Sequence, residues 1–184
     1  MDTAAIDRLV GLLEREGVLR GLISRGDADR IRERHVEDSL RAAAAFRPDD
    51  RLAYDLGSGA GLPGLPLAIA LPQVAFVLAE VRASRAAFLK LAIEELALPN
   101  VTVHRGRAEE LTPGADVATA RAFAPLERSW PLASELLRPG GRLVYFAGAS
   151  IEDPAGDASR IGEGAATVSL IVESGNPLVI MERQ

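Results

Sequence analysis

No cysteine occurs among the 184 residues. That excludes disulfides, thiolate nucleophiles and thiolate metal centres together. Histidine is limited to His35 and His104, too few and too unsupported to predict a metal site. Lysine is reduced to Lys90, so arginine carries nearly all the positive charge, and arginine suits bidentate contacts with phosphate or carboxylate. No apolar run approaches the roughly 20 residues needed to span a bilayer, and the start lacks the basic-then-apolar pattern of a secretion signal. A cytoplasmic, metal-free protein is expected. The net charge of −5 argues against indiscriminate nucleic-acid binding while leaving room for a local basic face.

What is present is an ordinary globular composition, 48% hydrophobic and 26% charged, at a length suited to a single folding unit. Ile6, Leu9, Val10 and Leu13 recur at helical spacing within residues 2–22, and residues 27–46 read as a second helical stretch ended by Arg47-Pro48. From Arg51 onward, strand and helix alternate. Strands are predicted at Leu52–Asp55, Val74–Val81, Val101–His104, Val117–Ala120 and Arg142–Ala147, with helices at 65–71, Ala83–Leu96 and Leu126–Leu137. Residues 149–165 read as a mobile surface loop. Two closing strands, Ala166–Glu173 and Leu178–Met181, are joined by the turn signal Ser174-Gly175-Asn176-Pro177. The expected fold is α/β and Rossmann-like, a mostly parallel seven-stranded sheet with a C-terminal antiparallel hairpin. Residues 1–47 form an N-terminal helical extension on a domain spanning 48–184.

The most informative segment is Asp55-Leu56-Gly57-Ser58-Gly59-Ala60-Gly61-Leu62-Pro63-Gly64. It follows a predicted strand and opens a helix, the place where an α/β domain holds a nucleotide-like ligand. Gly57 and Gly59 let the backbone approach that ligand without a Cβ. The spacing is G-x-G-x-G, with Leu62 where a dinucleotide fingerprint needs its third glycine. That points away from NAD and towards S-adenosylmethionine. Alone, such a turn is as readily a crowded connection with no ligand.

Further candidates follow at the other strand ends. Glu80 lies 23 positions beyond Gly57, near the spacing at which an acid binds ribose hydroxyls; the blander alternative is a solvated strand-end charge. Arg107-Ala108-Glu109-Glu110 could bracket an adenine edge, or be an acidic pair favoured by a helix N-terminus. After the fourth strand stands Ala120-Arg121-Ala122-Phe123-Ala124-Pro125. The Asn/Asp-Pro-Pro-aromatic motif of amino-directed methyltransferases is missing there. Arg121 instead offers donors, suited to a carboxylate, a phosphate or guanine O6. Phe123 could stack on a base or pack in the core.

Arg34-His35-Val36-Glu37-Asp38-Ser39-Leu40, Asp55 to Pro66, Arg107-Ala108-Glu109-Glu110 and Ala120-Arg121-Ala122-Phe123-Ala124 occur in this order. Together they resemble the RsmG family, also called glucose-inhibited division protein B, which methylates guanine N7 in 16S ribosomal RNA. The unbroken Gly-Leu-Pro-Gly-Leu-Pro, preceded by His-x-x-Asp-Ser, is quite specific to it. The resemblance covers most of residues 30–148. It implies a class I methyltransferase fold with S-adenosyl-L-methionine bound by Gly57, Leu62, Ala108, Glu109 and Arg121. Glu80 joins them only as a general feature of the class, and Asp55 and Gly59 of the glycine loop complete the candidate cofactor-binding set. It also implies 16S rRNA or the small ribosomal subunit as partner. Guanine N7 carries an exposed lone pair, so positioning can suffice without a general base; Arg121 would then orient the base or contact the cofactor. His35 and Asp38 fall one helical turn apart, suited to packing the N-terminal helices or to closing the substrate pocket.

The sequence departs from the family in three places. Leu22-Ile23-Ser24 stands for an Asn-Leu-Thr segment, Ala147 for a lysine before Gly148, and Met181-Glu182-Arg183-Gln184 for a basic C-terminus. Each change removes a substrate or phosphate contact, and none touches the glycine loop. Arg20, Arg25, Arg30, Arg32 and Arg34 are the candidates for docking RNA. Two other readings stand beside this one: a divergent methyltransferase with a small-molecule acceptor, and a non-catalytic S-adenosylmethionine-binding protein.

Overall fold

Runs too apolar for an exposed sheet face force both faces of the central strands indoors, and helices must cover them. The computed structural model describes residues 2–148, 152–172 and 176–184. Its strands are β1 (Leu52–Leu56), β2 (Ala75–Ala79), β3 (Val101–His104), β4 (Ala115–Arg121), β5 (Leu137–Phe146), β6 (Ala166–Ile171) and β7 (Leu178–Arg183). They form one sheet in the order β3-β2-β1-β4-β5-β7-β6. The first five are parallel, and β7 runs antiparallel to both neighbours. Strand order reverses between β1 and β4, so the ligand crevice of this topology lies over their carboxyl ends.

The helices are α1 (Thr3–Leu12), α2 (Asp38–Leu40), α3 (Gly64–Ala70), α4 (Ala83–Leu96), α5 (Leu126–Leu136) and α6 (Pro154–Ile161). One sheet face packs Phe76, Leu78 and Val117 against Leu9 and Leu12 of α1, Leu65 and Leu67 of α3, and Phe88 and Leu89 of α4. The N-terminal helix therefore shares a core with the sheet. The opposite face packs Tyr54, Leu56 and Leu143 against Trp130, Ala133 and Leu136 of α5 and Ala158 of α6.

Three expectations change. Residues 27–46 are not one helix: a 3-10 segment Arg25–Arg30, a wide π-type segment Arg32–Glu37, the single turn α2 and a 3-10 segment Arg41–Ala45 succeed one another. The Ser39 hydroxyl donates to the His35 carbonyl at 2.5 Å, a back-bond that competes with regular helix. The wide turn also frees carbonyls for a partner from the sheet, described below. Within the segment read as a loop, residues 154–161 form α6. The Asp153 side chain caps it by accepting from the Gly156 N–H at 2.9 Å, with Pro154 in its first turn, a start signal that glycine and alanine content obscures. Finally, β5 begins five residues early, at Leu137, and its pairing with β4 shifts register between Ala115 and Val117 to absorb the Pro139-Gly140-Gly141 turn. Glu173, Ser174 and Gly175 of the predicted hairpin lie outside the described residues, as do residues 149–151.

Candidate active site

Three links gather the glycine loop and the ends of β2 and β3. The Ser58 N–H donates to the Ala79 carbonyl at 3.0 Å, and the Glu80 N–H to the His104 carbonyl at 3.0 Å. The Gly59 N–H reaches across to the Glu80 carboxylate, also at 3.0 Å. Within the loop Gly57, Gly59 and Gly61 have φ of +69°, +55° and +82°, a conformation that side-chain-bearing residues rarely adopt. A Cβ on Gly57 would lie 2.6 Å from the Phe123 ring. The loop after β4 thus folds onto the glycine loop, and no other residue fits there. Leu62 is half-buried against the core below.

Glu80 is only 4% exposed. Its other oxygen accepts from the Arg82 N–H at 2.8 Å, and the nearest cation, Arg85, stands 4.0 Å away. Fixed by two backbone donors, the carboxylate keeps further lone pairs for a ligand's hydroxyls. Beside it, the turn Ala108–Glu110 follows β3. Ala108 is buried within it and Glu109 exposed. The His104 ring, through Nε2, bonds the Arg107 carbonyl at 3.1 Å and so ties this turn back to the strand.

Asp55 is placed differently from the rest. It is buried beneath the loop, where its carboxyl accepts from the Thr119 hydroxyl at 2.8 Å and from the Gly64 N–H at 3.3 Å. It joins β1, β4 and the start of α3 and presents no free face. Burial pushes its pKa from 3.8 up to about 6, opposed by the bonds from Thr119, Ser58 and Gly64. The native chain therefore holds this proton more tightly than the unfolded one. The associated stability is complete below about pH 4 and lost as pH rises through about 6. A change of that size corresponds to about 3 kcal/mol. Asp55→Asn should gain about that much on the wild type between pH 4 and pH 7 in paired denaturant titrations; parallel pH profiles would show that Asp55 ionises normally.

Arg121, at the end of β4, turns away from the loop and into the wide helical turn. Its Nη1 donates to the His35 carbonyl and to the Ser39 hydroxyl, each at 3.1 Å. Its Nη2 donates to the Arg34 carbonyl at 3.0 Å and lies 3.2 Å from His35 Nδ1 and 3.3 Å from Asp38. The guanidinium also sits 5.5 Å from the centre of the Phe146 ring, within cation–π range. Burial, with the neighbouring Arg121 charge, holds the His35 imidazole below its usual pKa, which keeps Nδ1 free to accept. His35 and Asp38, the pair one turn apart, are thus both partners of Arg121. The next residue, Ala122, has φ +51°, a backbone conformation costly for alanine and one that clusters at functional sites.

The comparisons with known proteins decide the family. The family model described as GidB, rRNA small subunit methyltransferase G, matches residues 2–170. The chain belongs to this family. The ribosomal RNA small subunit methyltransferase G of Salinispora arenicola is 45% identical over 173 residues, covering 86% of this chain and 70% of its own. The Acidothermus cellulolyticus protein of the same name is 43% identical, covering 78% and 64%, and that of Mycobacterium leprae 41% identical, covering 93% and 72%. The chain thus spans about two thirds of the length of these relatives. Among solved structures, the fold is similar to the mitomycin 7-O-methyltransferase MmcR, with a TM-score of 0.68 at 17% identity, covering 98% of this chain and 67% of that one. It is also similar to a putative O-methyltransferase from Klebsiella pneumoniae, with a TM-score of 0.68 at 15% identity, covering 98% and 90%.

S-adenosylmethionine is the methyl donor of the family, and the site fits it. The fit rests on the left-handed glycine loop and on a buried carboxylate with acceptor capacity to spare. Val81, 60% exposed directly after Glu80, adds an apolar surface that sequence reasoning missed; its signal is an apolar residue immediately after the acid. Across Phe123 from the glycine loop opens a cleft of about 700 Å³. Arg121, Phe123, Glu127, Tyr145, Asp157 and Asn176 are among the residues that line it. Sequence reasoning does not find it, because α6 and β7 bring its far wall from residues distant in the chain. No helix among the described residues is long and apolar enough to cross a membrane.

Proposed function

We propose that this protein methylates N7 of a guanine in 16S ribosomal RNA, using the glycine loop side of the site for the cofactor and the adjoining cleft for the base. Glu80 would accept from the ribose hydroxyls, Val81 and the turn at Ala108 and Glu109 would flank the adenine, and Gly57 and Gly59 would hold the remainder, with Asp55 and Leu62 supporting the loop from below. When bound, S-adenosylmethionine supplies a methyl group activated on sulfur. That methyl would pass to the guanine N7 lone pair, with the methyl–sulfur bonding pair left on sulfur. No proton leaves the base in that step, so the protein's task is alignment and exclusion of water.

The observation that favours RNA over a small acceptor is the distribution of uncommitted arginines. At the far end of the sheet Arg47, Arg138 and Arg142 are paired with Glu182, Asp116 and Asp50. On the N-terminal helices Arg20, Arg32 and Arg34 are paired with Glu16, Asp7 and Asp27, which leaves Arg25 and Arg30 of the docking face read from sequence. By contrast Arg82, Arg105, Arg107 and Arg128 are exposed at the carboxyl ends of β2, β3 and β4, and their side chains make no ion pair among the described residues. Four free guanidiniums around the reacting end suit phosphates.

The test is methyl transfer from labelled S-adenosylmethionine to small ribosomal subunits lacking the modification. Label at one guanine N7 is expected. Replacing Arg105 and Arg107 by alanine should flatten the dependence of log(kcat/KM) on log salt by about 0.7 for each phosphate left without its arginine. Tight cofactor binding with no labelled RNA would overturn the reading in favour of another acceptor or a silent binder.

A further inference from the structure

We propose that Glu127 reads the Watson–Crick edge of the acceptor base and makes the cleft selective for guanine; this deepens the proposed function and rests on it. Four charged side chains line the cleft: Asp38, Arg121, Glu127 and Asp157. Three are engaged. Asp38 pairs with Arg41 at 2.7 Å and with Arg121 at 3.3 Å. The donors of Arg121 are held by the Arg34 and His35 carbonyls and the Ser39 hydroxyl. Asp157 pairs with Arg160. Glu127, exposed in the first turn of α5, has no ion pair or side-chain hydrogen bond among the described residues.

Two hydroxyls beside it are occupied too. The Tyr145 hydroxyl donates to the Ala124 carbonyl at 3.2 Å, and the Ser129 hydroxyl to the same carbonyl at 3.0 Å. Among the described residues the cleft thus presents one charged side chain without an ionic partner, and it is a pure acceptor. Such a group selects a ligand edge with two adjacent donors. Guanine carries them as N1–H and the N2 amino group, spaced to meet both oxygens of one carboxylate. Adenine opposes the carboxylate with the N1 lone pair and has no amino group at C2. N7 lies on the opposite edge of the purine. With the Watson–Crick edge on Glu127, the N7 edge is free to face Phe123, which lines the same cleft and touches Gly57 of the cofactor loop. Specificity therefore sits on α5, while Arg121, the residue nearest a base by sequence, belongs to the scaffold.

The test compares wild type, Glu127→Ala and Glu127→Gln on small subunits assembled with 16S RNA carrying either guanosine or inosine at the methylated position. Inosine keeps N7 and loses only the amino group. Wild type is expected to lose about tenfold in kcat/KM on inosine, and Glu127→Ala about tenfold or more on guanosine, in line with the removal of bonds to a charged group. The alanine variant should then treat the two bases alike, and the glutamine variant should recover part of the rate on inosine, whose N1–H its carbonyl can still accept. Calorimetric S-adenosylmethionine binding confirms that both variants are folded. Wild type that treats the two bases alike, or an alanine variant that still prefers guanosine tenfold, overturns the role of Glu127. Label placed by wild type anywhere other than guanine N7 overturns the function itself, and the two failures are distinct.

Discussion

Arg121→Ala should lower the melting temperature by about 6 to 12 °C, the shift that a loss of about 3 kcal/mol gives in a chain of this size. The cause is structural. Arg121 is largely buried, and its fork holds the Arg34 and His35 carbonyls, Ser39, His35 Nδ1 and Asp38 at 3.0 to 3.3 Å. Truncation leaves those acceptors facing one another, and the Asp38 carboxylate keeps only Arg41. Limited proteolysis should then cut between residues 24 and 46, where the helical segments are short and tied to the sheet through this side chain. Arg121→Lys should recover little, since one ammonium cannot reproduce the planar fork. The competing role, orientation of the acceptor, makes the opposite forecast: an unchanged melting temperature with a collapsed kcat. A thermal melt therefore separates the two before any assay of methyl transfer.

Glu80→Ala should weaken S-adenosylmethionine binding by about 100-fold, read by calorimetry. Two ribose hydroxyls donating to one buried carboxylate make charge-assisted bonds of about 1.5 kcal/mol or more each, and about 1.4 kcal/mol is tenfold in affinity. The substitution also frees the Gly59 and Arg82 N–H groups that the carboxylate now fixes at 3.0 and 2.8 Å, so the loop itself loses definition. Glu80→Gln keeps the shape and one acceptor, and should fall between the two. An alanine variant that binds as tightly as wild type would remove Glu80 from the cofactor site.

Much of this architecture is readable in order along the chain, because the relevant signals are local. The spacing of Gly57, Gly59 and Gly61 encodes a left-handed loop that residues with a Cβ rarely adopt, and all three have positive φ. The near-continuous apolar character of residues 74–81 encodes a strand of a parallel sheet covered on both faces. Other features are less legible for equally physical reasons. Residues 27–46 read as one helix because helical periodicity is blind to a turn widened from outside by a guanidinium 86 positions later. The helix α6 is obscured by composition although its cap, Asp153-Pro154, stands in plain view.

The site divides along the same line. Residue type and spacing by themselves excluded thiol chemistry, pointed the glycine turn away from NAD and towards S-adenosylmethionine, and placed an acid at the end of the second strand, since the last two depend on one strand–loop–helix unit. Only the tertiary structure placed the partners around Arg121 and Asp55 and the cleft in front of Glu127. A side chain's role depends on which of its donors or acceptors remain free, and that is settled by partners the sequence does not place beside it: the helical carbonyls around Arg121, the Thr119 hydroxyl over Asp55, and the open cleft in front of Glu127.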